Sequence, residues 1–163
     1  MYRIKIIRQQ DIKKSEIDEV INIKSSQWKY CYVEQLNWIN KNIKKSDTHI
    51  ILYLNGKGVA YLNLIDINLI ANAEHVKGFG IGNVCAIERG MGYGLELMKL
   101  TNTYIIENNK IGILFCKDAL IRFYSSLDWK LLSIKDKDVN CKVMIYNNIY
   151  DEDTSIIYSG EIF

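Results

Sequence analysis

A short apolar strand, Val84-Cys85-Ala86, runs through Ile87-Glu88 into Arg89-Gly90-Met91-Gly92-Tyr93-Gly94-Leu95, where a helical pattern begins at once. Three glycines at alternate positions remove the Cβ atoms that would hold a ligand away from the backbone. They also admit dihedrals closed to other residues. The first amides of a helix have no partner within it, so they can donate to an anion lying at the helix start. The helix dipole adds about 0.3–1 kcal/mol for a charge placed there. Strand, glycine turn and helix together read as a pyrophosphate cradle.

Two common cradles do not fit. A phosphate-loop NTPase ends its glycine loop in Gly-Lys-Ser/Thr, whereas Gly94 is followed by Leu95. A dinucleotide fingerprint needs Gly-x-Gly-x-x-Gly and an acidic residue about 20 positions on. Here the spacing is Gly-x-Gly-x-Gly led by arginine, and the next strand ends in Cys116-Lys117.

A chain of 163 residues is most simply one domain, residues 1–163, able to bury about two thirds of its unfolded surface. With 21 basic and 19 acidic residues, a net charge of +2 argues for no nucleic-acid partner. The opening Met1-Tyr2-Arg3-Ile4-Lys5-Ile6 carries no signal-peptide core, and no uncharged apolar run approaches a membrane span. A cytoplasmic protein is expected. Cys31, Cys85, Cys116 and Cys141 are widely spaced, with only His49 and His75 beside them, so neither a metal site nor a disulfide framework is expected. Buried free thiols in a reducing cytosol are the expectation.

Along the chain, residues 2–8 alternate with Ile4 and Ile6 on one face, predicting a first strand. Ser15 and Asp18 suggest a helix-start box ahead of Ile17, Val20, Ile21 and Lys24 at helical spacing. A second helix is predicted over 33–44, on a stripe of Leu36, Ile39 and Ile43. Trp28, Tyr30, Tyr32 and Trp38 crowd the junction and either pack on the core or shape a substrate pocket. Residues 49–54 and 59–69 form a hairpin about Asn55-Gly56-Lys57-Gly58, and 72–77 reads as a connection. Gly78, Gly80 and Gly82 imply a bulge or a close backbone approach in the strand that enters the cradle.

The helix after the cradle carries Leu95, Met98 and Ile105 and ends near Asn108-Asn109. Ile111–Cys116 is a continuous apolar strand suited to a central parallel position. A short helix over 118–127 points Leu120, Phe123 and Tyr124 inward. Strands at 129–134 and 141–146, a turn at Asp151-Glu152-Asp153 and a tail with one further strand complete the chain. The order β-α-α-β-β-β-α-β-α-β-β is a mixed α/β sheet with helices on both faces.

Arg89-Gly90-Met91-Gly92-Tyr93-Gly94 matches the Arg/Gln-x-x-Gly-x-Gly/Ala signature of the GNAT N-acetyltransferases, and Val84 falls where that family has its strand valine. The element order is also the GNAT order. Phe123-Tyr124-Ser125-Ser126-Leu127-Asp128-Trp129 resembles the family's Leu-Tyr-x-x-x-Gly-Phe, with Asp128 replacing glycine in a tight turn. Lys117 replaces the family's asparagine, and Ile87 its strand-to-helix proline. Asp153-Thr154-Ser155 and Gly160-Glu161-Ile162-Phe163 resemble the end of aminoglycoside 2′-N-acetyltransferases, whose strand carboxylate would fall on Gly80.

The resemblance implies the acyl-CoA N-acyltransferase fold: a mixed twisted sheet that transfers an acetyl group from acetyl-CoA directly to a primary amine of a small molecule or peptide. It implies acetyl-CoA binding by Val84, Cys85, Ala86, Arg89, Gly90, Met91, Gly92, Tyr93, Gly94 and Leu95, with Lys117 and Phe123 beside the pantetheine arm. Tyr124 is implied as the general acid at the leaving sulfur. The base is taken as Glu88, with Glu74, His75, Asp66, Glu34 or a chain of waters as alternatives. Cys85 reads as a small strand residue rather than a nucleophile. A non-catalytic acyl-CoA sensor and an aminoglycoside 2′-N-acetyltransferase-like enzyme are the rival functions. No membrane partner is expected, and a homodimer is left open.

Overall fold

The computed structural model describes residues 1–132, 141–150, 154–160 and 163. Among them the order is β1 (Tyr2–Arg8), α1 (Lys14–Ser25), α2 (Tyr32–Asn42), β2 (Thr48–Leu54), β3 (Lys57–Ala71), β4 (Glu74–Ala86), α3 (Tyr93–Glu107), β5 (Ile111–Cys116), α4 (Ile121–Ser125), β6 (Lys130–Leu132), β7 (Lys142–Tyr146) and β8 (Ile156–Ile157). A 3-10 turn, Asp118–Leu120, precedes α4. The strands join in the order β1-β2-β3-β4-β5-β7-β6, with β8 on β3. β4 and β5 run parallel from Gly78↔Ile111 to Ile81↔Leu114, whereas β5–β7 and β6–β7 are antiparallel. This is the mixed α/β class expected, and the parallel pair is the one whose connection holds a helix. Packing divides the chain into two compact units, Met1–Ile65 with Gly82–Thr101, and Asp66–Ile81 with Asn102–Phe163.

In the first unit, Ile17, Val20, Ile21 and Ile23 of α1 and Ile39 beside Ile43 at the end of α2 form a core with Ile51, Tyr61 and Cys85. Each such side chain stabilises by about 1.5–3 kcal/mol when fully buried. The helix starts differ from the sequence reading. α1 begins two residues earlier than a Ser15 cap would allow: Glu16 accepts the Lys13 amide at 2.7 Å, and Asp18 instead pairs with Lys14 on the exposed face. α2 likewise starts when Glu34 accepts the Cys31 amide at 2.9 Å. A carboxylate at the third helical position satisfies an amide that the helix cannot.

β1 shows no clean alternation. Ile6 is exposed and Ile4 and Ile7 are half-buried, because β1 is an edge strand paired only to β2. Asn55 and Gly56, at φ 51° and 82°, make a two-residue turn, with Leu54 opposite Lys57. Two positive φ values in succession match the twist of the flanking strands, and Asn-Gly is the pair that supplies them most readily. The connection expected over 72–77 shrinks to Asn72-Ala73, also both at positive φ. Ala73 has no side chain suited to that conformation, and that is why the sequence hides the turn.

In the second unit Trp129 is almost wholly buried, its indole N–H donating to Asn102 Oδ1 at 3.0 Å, while Asn102 Nδ2 donates to the Leu127 carbonyl at 3.1 Å. This closes the turn at Asp128, which takes the left-handed conformation at φ 65° as its replacement of glycine requires. Leu120, expected inward, is 44% exposed because a 3-10 turn places it outside the α4 repeat. β8 pairs Ile157 with Ile70 of β3, supplying the extra strand of the tail. The close approach expected in β4 is found at Gly80, where an added Cβ would run into the ring of Phe163. The turn at Asp151-Glu152-Asp153, residues 133–134 of the expected strand, and Glu161-Ile162 of the tail motif lie outside the described residues.

His49 on β2 is fully buried, with Nε2 donating to Gln9 Oε1 and Nδ1 accepting the Tyr61 hydroxyl at 2.8 Å. Burial, reinforced by the charge of Lys24, pushes its pKa down to about 4. Between about 4 and the ordinary value of 6.5 the unfolded chain therefore binds a proton that the folded chain does not. Stability should fall as pH drops through that window, by up to about 3 kcal/mol, and level off below it. Urea denaturation of the wild type and a His49→Gln variant across pH 4 to 7 measures this: the difference between them carries the slope.

Candidate functional site

The cradle belongs to the first unit. Gly90 and Gly92 take φ values of 81° and 77°, and a Cβ on either would meet nothing within 4 Å. Their requirement is conformational, and it leaves the backbone open to approach. Helix α3 starts at Tyr93, and the first of its amides to find an acceptor is Glu96, on the Gly92 carbonyl at 3.0 Å. Among the described residues the amides of Tyr93, Gly94 and Leu95 donate to no protein group. Three convergent donors at the positive end of a fifteen-residue helix fit a diphosphate in charge and hydrogen-bonding type.

Glu88, Arg89 and Met91 are exposed around the same turn, and Tyr93 packs edge-on against Tyr2 with centroids 6.4 Å apart. Leu95, expected on the buried stripe of α3, is 36% exposed; the stripe is Leu97, Met98, Thr101 and Ile105. Leu95 sits in the first turn, where the helix faces the mouth of the glycine loop rather than the core.

The linker after α1 braces the cradle strand. Ser26 Oγ donates to the Ala86 carbonyl at 2.8 Å, Gln27 Nε2 reaches the same oxygen at 3.4 Å, and Arg89 donates to Gln27 Oε1 at 2.9 Å. The single Ser26 proton is shared with the Ile23 carbonyl at 2.6 Å, so the Ala86 carbonyl keeps acceptor capacity. Val84 is half-buried, and Asn83 before it stands at φ 54° inside β4. Asn83 accepts from Lys24 Nζ at 3.0 Å and donates to Asn63 Oδ1 at 2.7 Å.

Cys85 is buried in the α1–α2 core, and burial pushes its thiol up to about 12. A thiol that stays protonated is no nucleophile, which agrees with the reading of Cys85 as a small strand residue. The four cysteines are free, but not all buried as expected: Cys85 and Cys116 are, Cys141 is half-buried, and Cys31 caps α2 in the open. Among the described residues no group of three or more His, Cys, Asp or Glu is placed to hold a metal.

In the second unit Tyr124 is 5% exposed, edge-on to Phe123 at 5.0 Å and to Trp129 at 6.4 Å. Burial, with a smaller push from Cys116, raises its pKa to about 12. Among the described residues no protein group hydrogen-bonds its hydroxyl, yet no fully buried polar side-chain atom lacks a partner. The hydroxyl therefore reaches solvent, unlike that of a satisfied core tyrosine. Lys117 is exposed at the head of the 3-10 turn. Glu88, Glu74, His75, Asp66 and Glu34, the residues considered for the base, are all exposed.

Sequence reasoning passed over Lys24 as a functional residue. Its side chain is buried, with Nζ 3.8 Å from the centroid of the Trp38 ring and 5.4 Å from that of Trp28. The signal was a cation placed on the apolar stripe of α1. Trp28, Tyr30, Tyr32 and Trp38 are 37%, 62%, 42% and 41% exposed, so core packing does not account for them. Three of the four line a cavity with Lys24.

No protein-family model and no curated protein sequence matches the chain. Solved structures do match it in fold. An acyl-CoA N-acyltransferase from Pseudomonas aeruginosa is 16% identical, with 90% of this chain and 99% of that one covered at a TM-score of 0.66. Escherichia coli ElaA is 17% identical, covering 90% and 100% at 0.65. The Bacillus subtilis N-acetyltransferase YlbP, solved in complex with coenzyme A, is 15% identical, covering 90% and 96% at 0.60. No helix among the described residues is long and apolar enough to cross a membrane.

The burial of the thiols has a direct readout. Brief alkylation of the native protein with a maleimide at neutral pH should label Cys31 first and leave Cys85 unlabelled until denaturant is added. Peptide mass mapping checks it, and early labelling of Cys85 would contradict the assignment.

Proposed function

We propose, on the premise that the chain has the acyl-CoA N-acyltransferase fold, that it is an N-acetyltransferase moving the acetyl group of acetyl-CoA directly to a primary amine. The observation that carries this is the set of amides at Tyr93, Gly94 and Leu95 with no protein acceptor, set behind two glycines whose space is open. Those amides and the backbone from Arg89 to Gly92 would hold the pyrophosphate, and main-chain groups of Val84, Cys85 and Ala86 the pantetheine arm. Acetyl-CoA supplies an activated acetyl thioester.

The residues then have to orient an amine, take its proton and ease departure of the thiolate. Orientation can supply a large share of such a barrier reduction. Tyr124, with a pKa near 12, keeps its proton at neutral pH. A departing thiolate is a much weaker base than that phenolate. Tyr124 thus stabilises the sulfur by donating a hydrogen bond rather than by complete proton transfer. Hydrogen bonds to a charged atom contribute about 1.5–3 kcal/mol. Glu88, open to water beside the cradle, is the proposed base.

Acetyl-CoA at about 100 times its dissociation constant should stabilise the protein by about 2.7 kcal/mol, raising Tm by on the order of 5–10 °C; no shift would refute the cradle. Tyr124→Phe should lower kcat in a thiol-release assay by about 10–100-fold while leaving the acetyl-CoA shift intact. Unchanged turnover would remove Tyr124 from the chemistry.

A further inference from the structure

A cavity of about 470 Å³ lies in the first unit, lined by Lys24, Trp28, Tyr30, Glu34, Trp38 and Asn83 among others. That is within the size range of small-molecule sites. Its polar groups are unevenly placed. At the inner end, Lys24 is 3% exposed, with one of its three N–H donors on Asn83 and its charge over the Trp38 face. Among the described residues the ion pairs are Lys5–Glu16 and Lys14–Asp18, so this buried ammonium has no carboxylate partner. Burying a cation without an anion is costly, and the aromatic face offsets only part of that cost. At the outer rim stands Glu34, an exposed carboxylate already fixed by the Cys31 amide. Between the two are half-exposed indole and phenol rings.

The cavity adjoins the strand that enters the cradle. Asn83 directly precedes Val84, and Ser26 and Gln27, just beyond Lys24, hold the Ala86 carbonyl. A ligand seated on Lys24 therefore lies against the strand that runs into the glycine turn.

We propose that Lys24 determines acceptor specificity by binding a carboxylate, so that the cavity takes an amino carboxylate with an apolar or aromatic body and disfavours polycationic amines. This rests on the acetyltransferase reading for its consequence, since the bound amine is then the group acetylated. The charge pattern carries the choice. The inner cation complements a carboxylate, the outer Glu34 complements an ammonium, and Trp28, Tyr30 and Trp38 cover an apolar side chain. A polyamine or an aminoglycoside would bring further positive charge to a cation that already lacks an anion.

Trp28 and Trp38 report occupancy directly, so binding is measured without any acyl donor. Tryptophan fluorescence of the wild-type protein is titrated with L-phenylalanine, L-leucine, their amides, and spermidine. The free acids should bind at least about tenfold more tightly than the amides, and spermidine most weakly. Lys24→Gln should bring acid and amide within about twofold of each other, while Lys24→Arg should keep the preference. Equal binding of acid and amide by the wild type, no binding of the acids, tighter binding of spermidine, or a preference that survives in Lys24→Gln would each overturn the proposal. The wild-type comparison stands even where a variant fails to fold. Failure of the acetyltransferase reading shows separately, as an absent acetyl-CoA thermal shift beside an intact acid preference.

Discussion

An α-helix cannot satisfy the amides of its own first turn, and at α3 nothing else in the described chain does so either. At α1 and α2 a carboxylate at the third helical position, Glu16 or Glu34, folds back over the helix start and accepts the amide of the residue before the helix, Lys13 or Cys31. At α3 the third helical position is Leu95, whose side chain accepts no hydrogen bond, Gly92 and Gly90 before it offer no side chain at all, and the amides of Tyr93, Gly94 and Leu95 are left as donors. Bare first-turn amides behind an open glycine backbone, with no carboxylate folded over them from the third position, are the physical basis for reading α3 as the ligand-binding helix. The local cost is bearable because the turn is exposed and water serves the amides until an anion does.

The bracing of β4 follows from the same demand. An open turn positions a ligand only if the strand feeding it is held still. Ser26, Gln27 and Arg89 link the α1–α2 junction to the strand end, and Asn83 is clamped from both sides by Lys24 and Asn63. The left-handed residue at Asn83 is affordable because asparagine tolerates it and because its amide is used on both ends.

What could be read from the sequence was whatever depends on local chemistry. Asn55-Gly56 declares its turn, Ile111–Cys116 its central strand, and Arg89–Gly94 its glycine loop. Asp128 could be assigned a left-handed turn because a glycine was missing at that step of the motif, and its φ of 65° agrees. Features decided by tertiary context were less legible. Ser15 looks like a cap, but β1 supplies Lys5 to Glu16 and moves the helix start. Ala73 sits in a turn no propensity would assign. Lys24 falls on an apolar stripe, and only the ring of Trp38 and the amide of Asn83 explain how a cation survives there. The four aromatics near α2 admitted two readings in the sequence; their exposure counts against core packing, and Trp28, Tyr30 and Trp38 line a cavity.

The ring of Phe163 lies in the space where a side chain at position 80 would stand, flanked by Phe115 at 5.0 Å and Tyr158 at 5.8 Å. A vacancy in one strand thus works as a socket for an aromatic plug contributed from eighty-odd residues away in sequence. The two positions are bound to change together: even alanine at 80 evicts the ring, and losing the ring uncovers bare backbone on β4 between two aromatic walls.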